Sequence, residues 1–231
     1  ELAKAVADGG YDLGLAFDGD ADRCLAVDET GEEIDGDQIM AVCAEYLTAQ
    51  GKLKSEGFVA TVMSNLGLHK FCEENHLKLL CAAVGDRNVL ELMQKESMVL
   101  GGEQSGHIIF LEHMTTGDGQ LAALQFLSIL GQSGKKASEL AGQITHYPQL
   151  LQNVKVGSNE EKTAILNSAE LSMIVAREEE KLAGHGRILL RASGTEPLIR
   201  VMAEADTQDL AELVVKTLVQ AVENIQKILN K

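Results

Sequence analysis

Apolar and polar positions divide the chain into short runs of element length separated by polar loops. Leu2 to Ala7 reads as a short helix closed by Gly9-Gly10, and the chain reads as starting partway through a domain. Leu13 to Phe17 and Cys24 to Val27 are apolar runs of strand length, with Asp18-Gly19-Asp20-Ala21-Asp22-Arg23 between them and a turn at Asp28 to Gly31. Ile39 to Leu47 has helical spacing, with Ile39, Val42, Cys43 and Tyr46 on one face. Next come a strand (Phe58 to Met63), a helix (Leu66 to Glu74), a strand (Leu77 to Ala82), a helix (Asn88 to Gln94) and a strand (Met98 to Leu100). Strands alternating with helices predict βαβ units and a parallel sheet. Gly117 to Leu130 reads as an apolar helix, followed by a loop over Gly131 to Lys136 and a short helix.

Tyr147-Pro148 to Val156 reads as an extended crossing, which places a domain boundary near Pro148. The pattern then gives a charged helix around Glu160 to Lys181, a strand Arg187 to Leu190, a loop Arg191 to Pro197 and a strand Leu198 to Ala203. In the final helix Leu210, Leu213, Val214, Leu218, Ala221, Val222, Ile225 and Leu229 fall at helical spacing, and Asp206 or Thr207 can cap it. The predicted class is α/β: a mixed α/β sheet domain with flanking helices, followed by a small α+β C-terminal domain. No solenoid repeat is present.

Composition narrows the function. The 231 residues are 45% hydrophobic with only 2 prolines, which excludes a disordered or collagen-like chain. A net charge of −15 and 3% aromatics, with no Trp, supply neither a basic face nor stacking platforms, so no nucleic-acid partner is expected. No apolar run has membrane-spanning length, so no membrane partner is expected either. Cys24, Cys43, Cys72 and Cys81 lack metal or redox spacing and read as reduced core thiols. The expectation is a soluble cytosolic protein.

Three loops carry the candidate chemistry. Asp18, Asp20 and Asp22 alternate on a glycine-containing loop, and crowded carboxylates of this kind suit a hard cation, Mg²⁺ or Ca²⁺. The alternative is a solvated acidic turn. An EF-hand finds its twelfth-position acid in Glu29, but it meets Arg23 where the loop needs Gly, and its flanks read as strands. Arg23 could hold an anion beside the metal. A second Asp-Gly-Asp, at residues 35–37, precedes a helix, and Asp37 reads as its N-cap. The second loop is Gly101-Gly102-Glu103-Gln104-Ser105-Gly106-His107. There a carboxylate and a hydroxyl on alternate residues can bracket sugar hydroxyls, and His107 can act as acid or base. A polar hairpin with a surface His is the bland alternative. The third loop, Arg191-Ala192-Ser193-Gly194-Thr195-Glu196-Pro197 with Arg200, offers two hydroxyls, backbone N–H groups and two guanidinium groups for a phosphate, against a polar turn with solvated Arg.

Taken in this order, the three loops resemble the α-D-phosphohexomutase superfamily. Asp18 to Arg23 resembles its Mg²⁺ loop, Gly102 to His107 its sugar-recognition loop and Arg191 to Pro197 its phosphate loop, R-x-S-G-T-E-P. Further similar stretches are Val27-Asp28, Ile34 to Gln38, Met63 to Gly67, Val84 to Arg87 and Thr116 to Gly119, so the resemblance covers nearly the whole chain. It implies Mg²⁺ on Asp18, Asp20 and Asp22, with Arg23 contacting a phosphoryl group carried on a serine. It implies Glu103 and Ser105 on sugar hydroxyls and His107 assisting proton transfer. Arg191, Ser193, Gly194, Thr195 and Arg200 would hold the non-reacting phosphate.

The implied substrate is a sugar phosphate. The implied reaction interconverts glucosamine 6-phosphate and glucosamine 1-phosphate through a phosphoserine and a bisphosphate, and Gln104, where hexose enzymes tend to carry Met, leans toward the amino sugar. Mutases of mannose or glucose phosphates, a non-catalytic sugar-phosphate module and a Ca²⁺-binding protein remain alternatives. The family enzyme has four domains and allows a homodimer. No T-A-S-H-N-P-like serine loop occurs in this sequence. The expected organisation is therefore residues 1–37 as the end of domain two, 38–147 as domain three and 148–231 as domain four. The missing N-terminal domains would be partners, and the chain alone is expected to be inactive. Asn88, where related enzymes often carry Tyr, is a departure, and Ala192 occupies a variable site.

Overall fold

A computed structural model of the chain describes residues 1–194 and 196–230, and contacts divide it into two compact units, Glu1–Thr145 and His146–Lys231. In the first unit, helix α1 (Leu2–Gly9) ends on Gly10 in the left-handed region. It leads into an antiparallel sheet ordered β1 (Leu13–Phe17), β2 (Cys24–Asp28), β3 (Glu33–Ile34). The β2–β3 turn is built by the buried carboxylate of Asp28. One of its oxygens accepts from Thr30 N–H at 2.8 Å, Thr30 Oγ1 at 2.7 Å and Glu32 N–H at 3.0 Å.

Helix α2 spans Gly36–Ala49, longer than the sequence periodicity suggests. Its N-cap is Asp35, not Asp37. Asp35 and Gln38 form a reciprocal capping box, each side chain accepting the other's backbone N–H at 3.1 Å. The Asp-x-x-Gln spacing outcompetes the nearer Asp. Asp37, 1% exposed, instead accepts Asn65 N–H at 2.6 Å.

The second sheet of this unit is ordered β5 (Lys78–Ala82), β4 (Gly57–Thr61), β6 (Leu100–Gly102), β7 (Ile108–Phe110). β4 pairs in parallel with β5 and β6, while β6 and β7 form an antiparallel hairpin, so the sheet is mixed. Central strand β4 is buried on both faces. Phe58 and Ala60 belong to one core cluster with buried residues of α2, α3 (Leu66–Glu74) and α5 (Gly119–Ser133), and Val59 to another with Met93 and Val89 of α4 (Asp86–Glu96). The apolar helix begins at Gly119 rather than Gly117 because Asp118 caps it, accepting Leu121 N–H at 2.9 Å. The carboxyl ends of the three parallel strands carry loops 62–65, 83–85 and 103–106 on one edge, where α/β sheets bind ligands.

The second unit follows α6 (Ala137–Ala141) and is an antiparallel sheet ordered β8 (Gln149–Lys155), β10 (Leu198–Ala205), β9 (Gly186–Ala192). The charged helical stretch is two helices, α7 (Asn159–Leu166) and α8 (Ala169–Leu182), because Ser158 caps the first and Asn167-Ser168 interrupts the run. Ile199, Val201, Ala203 and Ala205 of β10 pack against the buried stripe of α9 (Gln208–Leu229). Thr207 caps α9, accepting Leu210 N–H at 3.3 Å. That stripe runs through Ala211, Val214, Val215, Leu218, Val222 and Ile225, whereas Leu213 and Leu229 are exposed. No described helix is long and apolar enough to cross a membrane.

Cys24, Cys43 and Cys72 are buried, and burial pushes their thiols up to about 11, about 12 and about 12. Cys81 is not a core thiol. It lies on edge strand β5 and is exposed. Two outcomes follow. A disulfide reagent at pH 8 will titrate one fast thiol, Cys81, because the thiolate fraction of the other three is small; all four will react after unfolding. Phe126→Ala, which empties a fully buried site in the core of the first unit, will lower stability by about 3–5 kcal/mol in urea unfolding.

Candidate functional site

The acidic loop joins β1 to β2 as a tight connection, so both flanks are strands and the EF-hand geometry is absent. Glu29 is also engaged elsewhere. Its carboxylate accepts from Ser138 Oγ at 2.5 Å and Ser138 N–H at 3.2 Å. Asp18, Asp20 and Asp22 each present a carboxylate oxygen within 4.8 Å of the other two. An all-oxygen donor set this crowded suits a hard cation such as Mg²⁺ or Ca²⁺. Arg23 stabilises the cluster from one side. Its backbone N–H donates to Asp18 at 3.2 Å, and its Nε lies 3.8 Å from Asp18 and 3.9 Å from Asp22. Half of its side chain stays exposed and available to an anion.

The structure brings the second loop onto the first. Arg23 and His107 form an antiparallel bridge, and Cys24 N–H donates to Gly106 C=O at 3.1 Å. This approach requires Gly106, whose φ is +91° and whose Cβ would stand 2.3 Å from the Cys24 carbonyl oxygen. Residues 103–106 form a turn closed by Gly106 N–H to Glu103 C=O at 3.0 Å, not the extended segment the alternation suggested. Glu103 and Ser105 nonetheless meet, Ser105 Oγ donating to Glu103 Oε2 at 3.4 Å, while Glu103 Oε1 accepts Gly85 N–H at 3.0 Å. Gln104 ties the loop to the α2 cap, donating to Asp35 at 3.1 Å and accepting Gly36 N–H at 2.9 Å.

His107 is not a surface residue. It is 3% exposed, and both ring nitrogens are committed. Gly117 N–H donates to Nε2 at 3.0 Å, so the ring proton is on Nδ1, which donates to Asp22 at 2.9 Å. The ring therefore has no free nitrogen for a substrate proton and fixes the orientation of Asp22. Sequence reasoning missed the commitment of Gly117 and the α2 cap to these loops. The Gly-Asp-Gly run before an apolar helix was the available signal.

The third loop belongs to the second unit. Arg191 and Arg200 are direct cross-strand partners on β9 and β10, and two pairs along the same face Arg187 meets Glu204 and forms an ion pair. Like charges directly opposite are destabilising. Here the Nε atoms of both Arg191 and Arg200 are buried without a hydrogen-bond partner among the described residues. Desolvation, and after it the Arg200 charge, pull Arg191 below its ordinary value. Ser193 is 2% exposed, and its hydroxyl accepts Glu196 N–H at 3.3 Å, so its side chain closes the loop; Gly194 is exposed. Thr195 lies outside the described residues.

Residues 35–147 match the family model "Phosphoglucomutase/phosphomannomutase, alpha/beta/alpha domain III", and residues 151–221 match the C-terminal domain of the same family. The chain belongs to the phosphoglucomutase/phosphomannomutase family. A phosphoglucosamine mutase of Ligilactobacillus salivarius is 52% identical over 222 residues, 96% of this chain and 49% of that protein. Another, from Anoxybacillus flavithermus, is 56% identical over 211 residues, 91% and 46% of the two chains. The chain thus spans about half the length of the curated relatives it matches. Among solved structures, Aspergillus fumigatus N-acetylphosphoglucosamine mutase superposes with a TM-score of 0.76 at 24% identity, over 92% of this chain and 48% of that one. The same enzyme in complex with GlcNAc-6P and magnesium gives 0.74 at 23% identity over the same shares. These likenesses establish the fold.

His107→Ala strips a partner from both Gly117 N–H and the Asp22 carboxylate. Stability is expected to fall by about 1–3 kcal/mol in urea unfolding.

Proposed function

We propose that the chain carries the metal, sugar and phosphate loops of a phosphoglucosamine mutase, which interconverts glucosamine 6-phosphate and glucosamine 1-phosphate. The observation that carries this reading is the 52% identity over 222 residues with a phosphoglucosamine mutase, together with all three loops in order. We read residues 1–37 and 38–147 as two domains joined through the Arg23–His107 bridge, and 148–231 as a third. The start of the domain III match at residue 35 supports the first division.

In this proposal Asp18, Asp20 and Asp22 hold Mg²⁺, with His107 fixing Asp22. The metal, when bound, shields the negative charge of a transferring phosphoryl group. Arg23, half exposed beside the acids, contacts that phosphoryl. Glu103 and Ser105 hold sugar hydroxyls, and the Glu103 carboxylate is already oriented for this by Gly85 N–H. Arg191 and Arg200 with the exposed Gly194 bind the substrate's phosphate, whose two negative charges relieve the repulsion between the guanidinium groups. Thr195 joins them by resemblance. The nucleophilic serine is not among these 231 residues, so the chain alone binds sugar phosphate without turning it over. The absence of a disulfide among the described cysteines fits a reducing compartment, and the proposal places the enzyme in the cytoplasm.

The test offers the purified chain Mg²⁺, glucosamine 6-phosphate and a sugar bisphosphate activator. No glucosamine 1-phosphate should form. Calorimetry should show glucosamine 6-phosphate binding more tightly than glucose or mannose 6-phosphate, and Arg191→Met should weaken it about tenfold or more. Turnover that Asp20→Ala abolishes would overturn the inactivity, and equal binding of the three sugars would overturn the amino-sugar assignment.

A further inference from the structure

Lys162 sits in the middle of α7 and is 7% exposed. Burying an ammonium group is costly unless it is paired or fully hydrogen-bonded. Among the described residues no carboxylate lies within ion-pair distance of it. The carboxylate of its neighbour Glu161 is committed to Gly157 N–H and Asn230. The Lys162 ammonium instead donates to two carbonyls of the phosphate loop, Ser193 C=O at 2.6 Å and Glu196 C=O at 3.2 Å. A buried ammonium therefore lies against the loop that joins the half-buried Arg191 to the half-buried Arg200.

The geometry has a directional consequence. Among the described residues no peptide bond is cis, and in a trans peptide the C=O and the next N–H point to opposite sides. Drawing the Ser193 carbonyl inward onto Lys162 turns the N–H of Gly194 outward. Gly194 is exposed, and its N–H donates to no acceptor among the described residues. The Ser193 N–H to Leu198 C=O bond at 2.9 Å and the Glu196 N–H to Ser193 hydroxyl bond fix the remainder of the turn.

We propose that Lys162 is a positioning residue for anion binding, clamping the Ser193–Gly194 peptide so that the Gly194 N–H is presented to a phosphate group. This rests on the phosphate-loop reading above and adds a residue that the loop motif does not contain. The clamp supplies two things at once. It aims a backbone donor, and it leaves the positive charge of the ammonium uncompensated by protein carboxylates, so that an incoming dianion supplies the missing countercharge.

The experiment titrates inorganic phosphate and glucosamine 6-phosphate into the ¹⁵N-labelled full chain and its Lys162→Met, Lys162→Arg and Arg191→Met variants. Amide shifts and calorimetry are read together. In the native chain the Gly194 amide should move downfield on binding. Lys162→Met should weaken phosphate binding about tenfold and lose the Gly194 response, while amides of the β8–β10 core stay in place. Lys162→Arg should retain most of the binding.

A folded Lys162→Met chain that binds phosphate normally, with an unchanged Gly194 shift, overturns the clamp, and if Arg191→Met then abolishes binding the phosphate-loop reading stands. A native chain that binds neither ligand overturns both. Should Lys162→Met fail to fold, amine labelling of the native chain decides. Saturating phosphate should slow modification of Lys162 at least about threefold by tightening its bonds to the loop, and unchanged labelling overturns the proposal.

Discussion

Three carboxylates whose oxygens lie within 4.8 Å of one another repel, by roughly 1 kcal/mol per pair even at the dielectric of water. The first unit holds them there by backbone and buried side-chain bonds rather than by matching charge. The β1–β2 hairpin fixes the spacing, the Arg23–His107 bridge fixes the height of the loop, and the His107 ring fixes Asp22. One guanidinium offsets part of the charge, so the cluster remains net acidic. That residual charge is a standing preference for a divalent cation, and it depends on the hairpin at 103–106 being seated against Cys24. Gly106 and His107 therefore serve the acidic loop as much as their own.

The second unit shows the same logic with the opposite sign. Along one face of β9 and β10, Arg187 neutralises the buried Glu204, while Arg191 stands opposite a second cation, Arg200. A sheet that merely needed stability would place an acid at either position, as it does at residue 204. Lys162 extends the imbalance into the loop. Fixed, unpaired charges of this kind lose little on ligand arrival, because the cost of their reorganisation has been met in folding; that is the physical basis of preorganised phosphate recognition.

The sequence made the alternation of strands and helices readable because the parallel strands are buried on both faces and so appear as unbroken apolar runs, Phe58 to Thr61 being the clearest. Asp18, Asp20 and Asp22 were legible as a cluster because their neighbours in sequence are also their neighbours in space. The capping of α2 was misread at Asp37 because two acids compete there and Gln38 decides between them through a reciprocal bond. The split between α7 and α8 was hidden because the interrupting Asn167-Ser168 is only two residues long. His107 was read as an acid or base open to a substrate, whereas both of its ring nitrogens are hydrogen-bonded within the protein. Its partners, Asp22 and Gly117, lie 85 and 10 residues away, and no local pattern signals that both ring nitrogens are taken.

The same limit explains why Lys162 escaped notice. A lysine within a charged helical stretch reads as solvated, and its burial arises only because α7 ends one loop's journey beneath another, 31 residues downstream at Ser193. Motifs record the residues that touch a ligand, since those are contiguous on the loop. They do not record the groups that aim the loop's backbone, because a carbonyl can be held by a donor from any part of the chain. A binding loop defined by its backbone N–H groups is thus incompletely specified by its own sequence. Its anion affinity depends on the donor behind the peptide as well as on the side chains in front of it, and the two can be separated only by removing each in turn.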